Sequence, residues 1–498
     1  MFRIFIFLTL TSCICAKGQV YYVNEPFLKA YSHVVNFEKN KALDIIQEQT
    51  KGKKSVNLLF YYLESSTYFI EAFLTENKED KNKWDQKFSF WETKFLNGKK
   101  SSPYYRYCIA HLYLQKGLLN LKFQEYVQAG LDLRKATRML EKNYQLFPDF
   151  VVQYKEFGLL QCFLGNIPEQ YEWLLGLAGL SGDLKQGESL LLKILKLSME
   201  NEQYSFLQIE TLLYYSTVIT ILHNDAEIVK KVFPFFSKVD PLFHKSPLYI
   251  YMLSNVYSHM GNNDKALEEL KNYKPLSTSI RFDYLTYLKG VLMLHQAKPQ
   301  ARQHFFKFIS DFEGMHYVKS AYHKIAWTYL LEGDLKQYEL YMSIASNSGL
   351  SVNDADKQAM HELKSKNIPN PDLLRARLLC DGGYYNQALI EMQSIDSSEI
   401  CQKKKFCTEY HYRHARIYHL SNNLTLAIDA YKTVIEMGQN DKEYFAANAA
   451  LMLGMIYEEK IDFSTARHYY KLCLNMPFEE YRNSIQQKAK AGLQRVGR

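Results

Sequence analysis

The sequence has little of what most function classes require. It contains no HExxH, GxSxG, Walker or EF-hand motif, and beyond the N-terminus no apolar run long enough to span a bilayer. The formal net charge is only +8, and the densest basic run is the triplet 403–405, which is typical of a solvated loop. The sequence therefore predicts no enzyme, no cofactor, no metal and no nucleic-acid partner.

Hydrophobic residues make up 47% of the chain, which excludes a disordered protein. Tyrosine is frequent, with 39 residues against 4 tryptophans. Four stretches share a pattern in which a small residue is followed by a large residue, then by an alanine and a bulky side chain. They are Ser254, Tyr257, Ala266, Leu270; Ala376, Leu379, Ala388, Met392; Ala415, Tyr418, Ala427, Tyr431; and Gly454, Tyr457, Ala466, Tyr470. The pattern predicts helix pairs that cross closely at the small residues.

The pattern resembles the tetratricopeptide repeat, which has a small residue at position 8, an aromatic at 11, alanine at 20 and an aromatic at 24. Weaker units start from Gly290 and Ala326, the latter with Tyr338 where alanine belongs. Within each run, neighbouring anchors lie 36 or 39 residues apart, close to the family period of 34. The resemblance implies an all-α, helical solenoid of antiparallel helix pairs.

The array has a junction where the step between anchors is longest. An extra helical segment, residues 351–366, follows the Ala326 unit and ends before Pro369 and Pro371. We therefore predict an irregular helical region over 19–147, a repeat array over 148–350, an extra helix and linker over 351–370, and C-terminal repeats over 371–498.

Residues 1–18 have the features of a signal peptide. Arg3 precedes a short apolar run, and Ala16-Lys17-Gly18 fits a cleavage site. Alternatively, Leu10-Thr11-Ser12-Cys13 resembles a lipobox, which would leave a lipid anchor on Cys13. We expect an exported, periplasmic protein, or one attached to the outer membrane through Cys13, similar to exported repeat proteins of Bacteroidetes-type bacteria.

The segment from Tyr154 to Gly187 is rich in glycine. It lacks the spacing of a phosphate-binding loop, so tight helix packing is favoured. Residues of about 100–200 also resemble a eukaryotic tetratricopeptide-repeat family linked to lipid droplets and inclusion clearance. The predicted export differs from those intracellular proteins, so their cellular role is not carried over.

Six cysteines lie beyond the signal region, without CxxC or zinc spacing. Cys401 and Cys407 bracket the lysine triplet, and the sequence leaves open whether they pair. His411 and His414 have a spacing that would suit metal ligands, but the repeat register turns them toward neighbouring helices.

In the family, positions 2, 5, 9 and 12 of each first helix face the concave groove. Among the positions that this register selects, we take eight as groove candidates: Tyr251, Asn255, Tyr287, His323, Trp327, Arg377, Tyr412 and Arg416. Only three of them fit even loosely the carboxylate clamp for chaperone tails, so that ligand is not expected. We predict a non-enzymatic scaffold of the cell envelope that binds a protein or an extended peptide along the groove. The alternative is an envelope receptor for glycans or nutrients.

The first prediction concerns export. The mature protein should begin near Lys17 or Gln19, or at Cys13 if the lipobox is used. N-terminal sequencing and the intact mass of protein from its native host decide between these ends. Recovery of the chain with Met1 in place would contradict export.

Overall fold

The computed structural model describes residues 20–497, apart from 54, 167–178, 224–225, 275–277 and 366. The signal-peptide and lipobox predictions therefore lie outside the described residues, as does part of the glycine-rich segment. The α-helices are α1 Glu25–Val35, α2 Lys39–Thr50, α3 Leu59–Thr75, α4 Lys78–Leu96, α5 Pro103–Lys122, α6 Tyr126–Leu146, α7 Tyr154–Leu164, α8 Leu184–Glu200, α9 Gln208–Val218, α10 Ala226–Lys230, α11 Phe233–Phe236, α12 Pro247–His259, α13 Asn263–Asn272, α14 Tyr284–Leu294, α15 Ala301–Asp311, α16 Val318–Leu331, α17 Leu335–Asn347, α18 Asp354–Ser365, α19 Pro371–Asp381, α20 Tyr385–Ser394, α21 Ser397–Ile400, α22 Lys404–Leu420, α23 Leu424–Gly438, α24 Phe445–Glu459, α25 Phe463–Asn475 and α26 Arg482–Val496.

The prediction of an all-α solenoid is confirmed. Consecutive helices pack in pairs through most of the chain, such as α16 with α17 and α22 with α23. Among the described residues, β-type pairing is limited to one isolated bridge between Val20 and Asn57. In the same part of the chain, no helix has the length and apolarity needed to cross a membrane.

Small residues lie where the paired helices cross. Ala388, Ala427 and Ala466 are fully buried. At Gly454 an added Cβ would come within 2.5 Å of the Tyr470 ring, so glycine lets α24 approach α25 at this point. Each predicted anchor therefore has the packing reason that the sequence pattern assigned to it.

The glycine-rich segment also serves packing. A Cβ at Gly158 would lie 2.9 Å from the carbonyl oxygen of Gly187, and one at Gly187 would lie 2.6 Å from that of Gly158. Helices α7 and α8 thus touch backbone to backbone, which only residues without a side chain allow. This agrees with the interpretation that these glycines serve tight packing.

The array curves strongly enough to bring distant units together. Tyr384, at the start of α20, donates a hydrogen bond to Asp264 of α13 over 2.5 Å, although 120 residues separate them. Near the N-terminus, Glu76 accepts a hydrogen bond from His316 over 2.7 Å. The first helices therefore contact the middle of the array.

The extra helix α18 packs against α16, on the inner side of the array. Asp356 of α18 accepts the backbone N–H groups of Tyr317 and Ser320, at 2.7 and 2.8 Å, and so caps the start of α16. Tyr338, which replaces the expected alanine, donates a hydrogen bond to Glu362 of α18 over 3.1 Å. The departure of this unit from the repeat pattern is therefore explained by the helix that packs on it.

The question of cysteine pairing is answered by the structure. Cys401, at the end of α21, forms a disulfide with Cys407 in the first turns of α22, with a Cα–Cα distance of 4.3 Å. Cys108, Cys162, Cys380 and Cys473 are free and buried.

The second prediction concerns the helix crossings. Replacing Ala427 by leucine should lower the free energy of unfolding by about 1–3 kcal/mol, because added methylenes at a full crossing force the backbones apart. Chemical denaturation followed by circular dichroism measures the change. Ala491→Leu, on the exposed side of α26, is the matched control and should leave stability nearly unchanged. Equal effects of the two substitutions would contradict the assigned register.

Candidate functional site

A cavity of about 280 Å³ lies on the inner side of the array, between α14, α16, α18 and α19. This volume is near the lower end of the range for small-ligand sites. It offers room for one side chain or end group of a ligand. This cavity is therefore a candidate binding site.

One wall of the cavity is aromatic and aliphatic. Helix α14 contributes Tyr284, Tyr287, Val291 and Leu294, which are positions 2, 5, 9 and 12 of the unit anchored at Gly290. The hydroxyl group of Tyr287 lies 2.8 Å from the Ser320 Oγ, so the polar end of this ring already has a partner in α16. The repeat register thus places a complete set of concave positions along the cavity.

The opposite end of the cavity is charged. Lys324 of α16 and Arg377 of α19 line it together with Asp381. The Arg377 Nε is 3.6 Å from the Asp381 Oδ2, while the Lys324 Nζ donates to the Ser320 Oγ over 2.9 Å. Arg377 and Asp381 keep 26% and 34% of their side-chain area exposed, so this end is open to solvent.

Two groups in the cavity have strongly altered proton affinity. Burial, followed by the charge of Arg377, lowers the pKa of Lys324 to about 8. Burial also lowers the pKa of His295 to about 4, so its imidazole is neutral at pH 7. Its buried Nδ1 has no hydrogen-bond partner among the described residues. The cavity therefore offers a cation and a neutral imidazole to a ligand.

Two of the groove candidates lie beneath α18. Trp327 and His323 are only 3% and 0% exposed. The Trp327 Nε1 donates to the Glu362 Oε1 over 3.0 Å, and the His323 Nε2 is 3.0 Å from the Glu362 Oε2. The chain's own helix therefore covers the concave positions of this unit, and only the edge of Trp327 reaches the cavity.

The remaining candidates are divided between the cavity and the core. Tyr287 and Arg377 line the cavity, whereas Arg416 lies 3.6 Å from Asp381 at its charged end. Tyr412 is 1% exposed, and its hydroxyl accepts a hydrogen bond from the Asn448 Nδ2 over 2.9 Å. Tyr251 contacts Phe282, and the Asn255 side chain donates to the carbonyl of Tyr251 over 2.8 Å. Whether any of them binds a ligand stays a prediction.

Lys324, His295 and Asp381 are cavity residues that the concave positions do not include. His295 and Asp381 each follow their anchor, Gly290 or Ala376, by five residues. Because of this shared offset, each residue lies at the end of the first helix of its unit, and both line the cavity. Lys324 carries no such signal, because its role depends on the neighbouring helices.

A second polar cluster is buried in the N-terminal part of the chain, and there the buried lysine is paired with carboxylates. The Lys155 Nζ hydrogen-bonds to Glu156 and lies 2.9 Å from the Glu210 Oε1, and His111 approaches Glu156 to 3.0 Å. Although burial alone would lower the pKa of Lys155, the charges of Glu156 and Glu210 raise it. The adjoining cavity measures about 10 Å³, enough only for a water molecule. The charges of this cluster face one another, although the Glu156 Oε2 has no hydrogen-bond partner among the described residues, and the adjoining space leaves no room for a larger ligand.

Comparison with known proteins supports the repeat register. A tetratricopeptide-repeat family model matches residues 408–441, which include most of α22 and all of α23. Residue 408 is the first position of the unit that the Ala415 anchor defines. No curated protein shows significant similarity to the chain.

Solved structures with similar folds are only distantly related. They include the crystal structure of the APC/C hetero-tetramer Cut9–Hcn1, at 12% identity over 93% of this chain and 95% of that chain, with a TM-score of 0.24. The human IFIT1 dimer with PPP-AAAA matches at 12% identity over 82% of this chain and 94% of that chain, with a TM-score of 0.29. Yeast Tom70 matches at 15% identity over 94% of this chain and 95% of that chain, with a TM-score of 0.22. Scores this low carry nothing about ligands.

The third prediction uses the lowered pKa of Lys324. Because this pKa is about 8 in the folded protein and 10.5 in an unperturbed lysine, the unfolded chain binds more protons between those pH values. The charged Lys324 therefore lowers the free energy of unfolding below pH about 8, and this destabilisation disappears as the pH rises toward 10.5. Lys324→Met should raise the free energy of unfolding at pH 7, and the gain should shrink at alkaline pH.

The control is Lys336→Met, because Lys336 is exposed on α17. Denaturant unfolding of the wild type and both variants between pH 7 and 10.5 measures the differences in stability. Subtracting the wild-type curve removes the contribution of groups common to all three proteins. A pH-independent difference for Lys324→Met would contradict the pKa assignment.

Proposed function

We propose that the protein is a non-enzymatic scaffold that binds an extended segment of a partner protein on its inner face and anchors an acidic side chain in the cavity. The observation that carries the proposal is Lys324, a buried cation in an accessible cavity. Among the described residues, no carboxylate lies within ion-pair distance of it. An anionic ligand group would supply the missing charge.

The balance of charge supports an acidic anchor. Two cations, Lys324 and Arg377, line the cavity against one carboxylate, Asp381, which is already shared with Arg416. Asp356 and Glu362 act on Lys324 only through their longer-range charge, without pairing with it, so a bound carboxylate would relieve part of the cost of burying this cation. The tyrosines of α14 provide the apolar surface for the stem of the ligand side chain.

The buried aromatic residues favour this function over glycan binding. A sugar-binding platform requires an exposed aromatic face, whereas Trp327 and Tyr287 are each 3% exposed. Their hydrogen-bonding atoms are also engaged, with Glu362 and Ser320.

We also propose that the protein acts in the cell envelope. The charged and apolar pattern of residues 1–18 supports export. The Cys401–Cys407 disulfide is consistent with an oxidising compartment.

The fourth prediction tests the acidic anchor. A library of peptides with amidated C-termini is screened against the full chain, and each binder is compared with its Glu→Gln or Asp→Asn counterpart by fluorescence anisotropy. Wild-type protein should bind the acidic peptide about 10- to 100-fold more tightly, because a hydrogen bond to a charged group contributes about 1.5–3 kcal/mol. The preference should decline as pH rises through about 8, where Lys324 loses its proton.

The variants Lys324→Met and Lys336→Met distinguish the cavity from general attraction to a basic protein. The first should lose both the acidic preference and its pH dependence, whereas the second should keep them. Amidation removes the terminal carboxylate, so a preference seen here comes from the side chain. If the Lys324→Met variant still bound the acidic peptide more tightly than its neutral counterpart, the proposal would be wrong.

A further inference from the structure

We propose that Cys401, Cys407 and His411 form a zinc-binding site when the disulfide between the two cysteines is reduced. The site lies at the junction of α21 and α22, away from the cavity, and is independent of the proposed binding function. The potential ligand atoms of these three residues lie within 4.8 Å of one another.

The helix geometry brings the ligands together. Cys407 and His411 are four residues apart in α22, so their side chains lie on the same face of the helix. Cys401 approaches that face from the end of α21. Two thiolates and one imidazole form a donor set that suits zinc, which binds sulfur at about 2.3 Å and nitrogen at about 2.0 Å.

The imidazole of His411 is available for coordination. Its ring lies 5.4 Å from the ring of Tyr410, measured between centroids. Among the described residues, no group forms a hydrogen bond with either of its ring nitrogens. His414, on the same helix, differs because its Nδ1 lies 3.3 Å from the carbonyl oxygen of Tyr410. His411 is partly exposed, so a metal ion can reach it from solvent.

Two of the three lysines between Cys401 and Cys407 are paired with carboxylates, and the third, Lys403, lies over the ring of Phe406. The Lys404 Nζ lies 2.6 Å from the Asp441 Oδ1, and the Lys405 Nζ lies 4.0 Å from the Glu443 Oε1. Both ammonium groups are thus compensated by carboxylates. Cys407 lies in the first turns of α22, where the helix dipole favours the thiolate that a metal requires.

The two states of the site interconvert by a balanced reaction. A dithiol reductant transfers two electrons and two protons to the Cys401–Cys407 bond and itself becomes a disulfide, which leaves two thiols. Zinc then displaces both thiol protons and accepts a lone pair from the neutral His411. A water molecule completes the tetrahedral geometry at the exposed side.

The test uses the full chain, reduced with a dithiol under nitrogen and then freed of reductant by desalting. Zinc affinity is measured by competition with a chromophoric chelator, and cobalt is added separately to detect the thiolate-to-metal charge-transfer band. The reduced protein should bind one zinc ion at this site, release two protons and show the cobalt band. The oxidised protein should do none of these, because a disulfide offers no thiolate.

Variants identify the ligands. The double variant Cys401→Ser with Cys407→Ser should abolish the cobalt band. His411→Gln should weaken zinc binding at least about 10-fold, because loss of even a residue that only hydrogen-bonds to a metal ligand lowers metal affinity by about that factor. His414→Gln is the matched control on the same helix and should bind zinc like the wild type. If the two histidine variants lost the same amount of zinc affinity, His411 would not be a zinc ligand.

Failure to fold does not obscure the outcome. Circular dichroism checks each variant, and if the double serine variant is unfolded, the oxidised and reduced wild-type proteins provide the comparison. Equal zinc binding in both redox states, or a reduced protein without the cobalt band, would overturn the proposal.

Discussion

The fold depends on the close approach of paired helices at small residues. Ala427 and Ala466 have no exposed surface, and the glycine at 454 leaves space that the ring of Tyr470 fills. Because each pair can bury only part of its apolar surface, it must pack on the next pair, which produces the array. The abundance of tyrosine follows from this packing: Tyr412, Tyr431 and Tyr470 are each at most 1% exposed.

The helix pairs could be predicted because their packing depends on residues close in sequence. The register set by Ala415 places the start of its unit at residue 408, where the family match also starts. The position of α18 could not be predicted in this way. Its contact with α16 depends on Glu362 reaching Trp327 and Tyr338, and nothing periodic marks that glutamate. A helix is a local property of the sequence, but the face on which it packs is not.

The same distinction explains the candidate site. The concave positions include Tyr287, which lines the cavity, but the same rule selected His323, which has no exposed surface. The family geometry assumes an open groove, and here an inserted helix covers part of that groove and leaves a cavity that opens to solvent at its charged end. Lys324 was missed because its significance comes from burial and from Arg377, which belongs to a helix more than fifty residues later.

The contrast between two buried lysines is what supports the proposal that the cavity binds an acidic group. Lys155 is surrounded by Glu156 and Glu210, and their charges raise its pKa in spite of burial. Lys324 is buried beside the ring of Trp327 with a serine hydroxyl as its hydrogen-bond partner, and burial and the charge of Arg377 outweigh the more distant carboxylates, so that its pKa falls to about 8. A stable core has no need for a cation held in this way, because an apolar side chain of the same volume would be more favourable. The proposed acidic ligand would supply the opposite charge and so account for a lysine at this position.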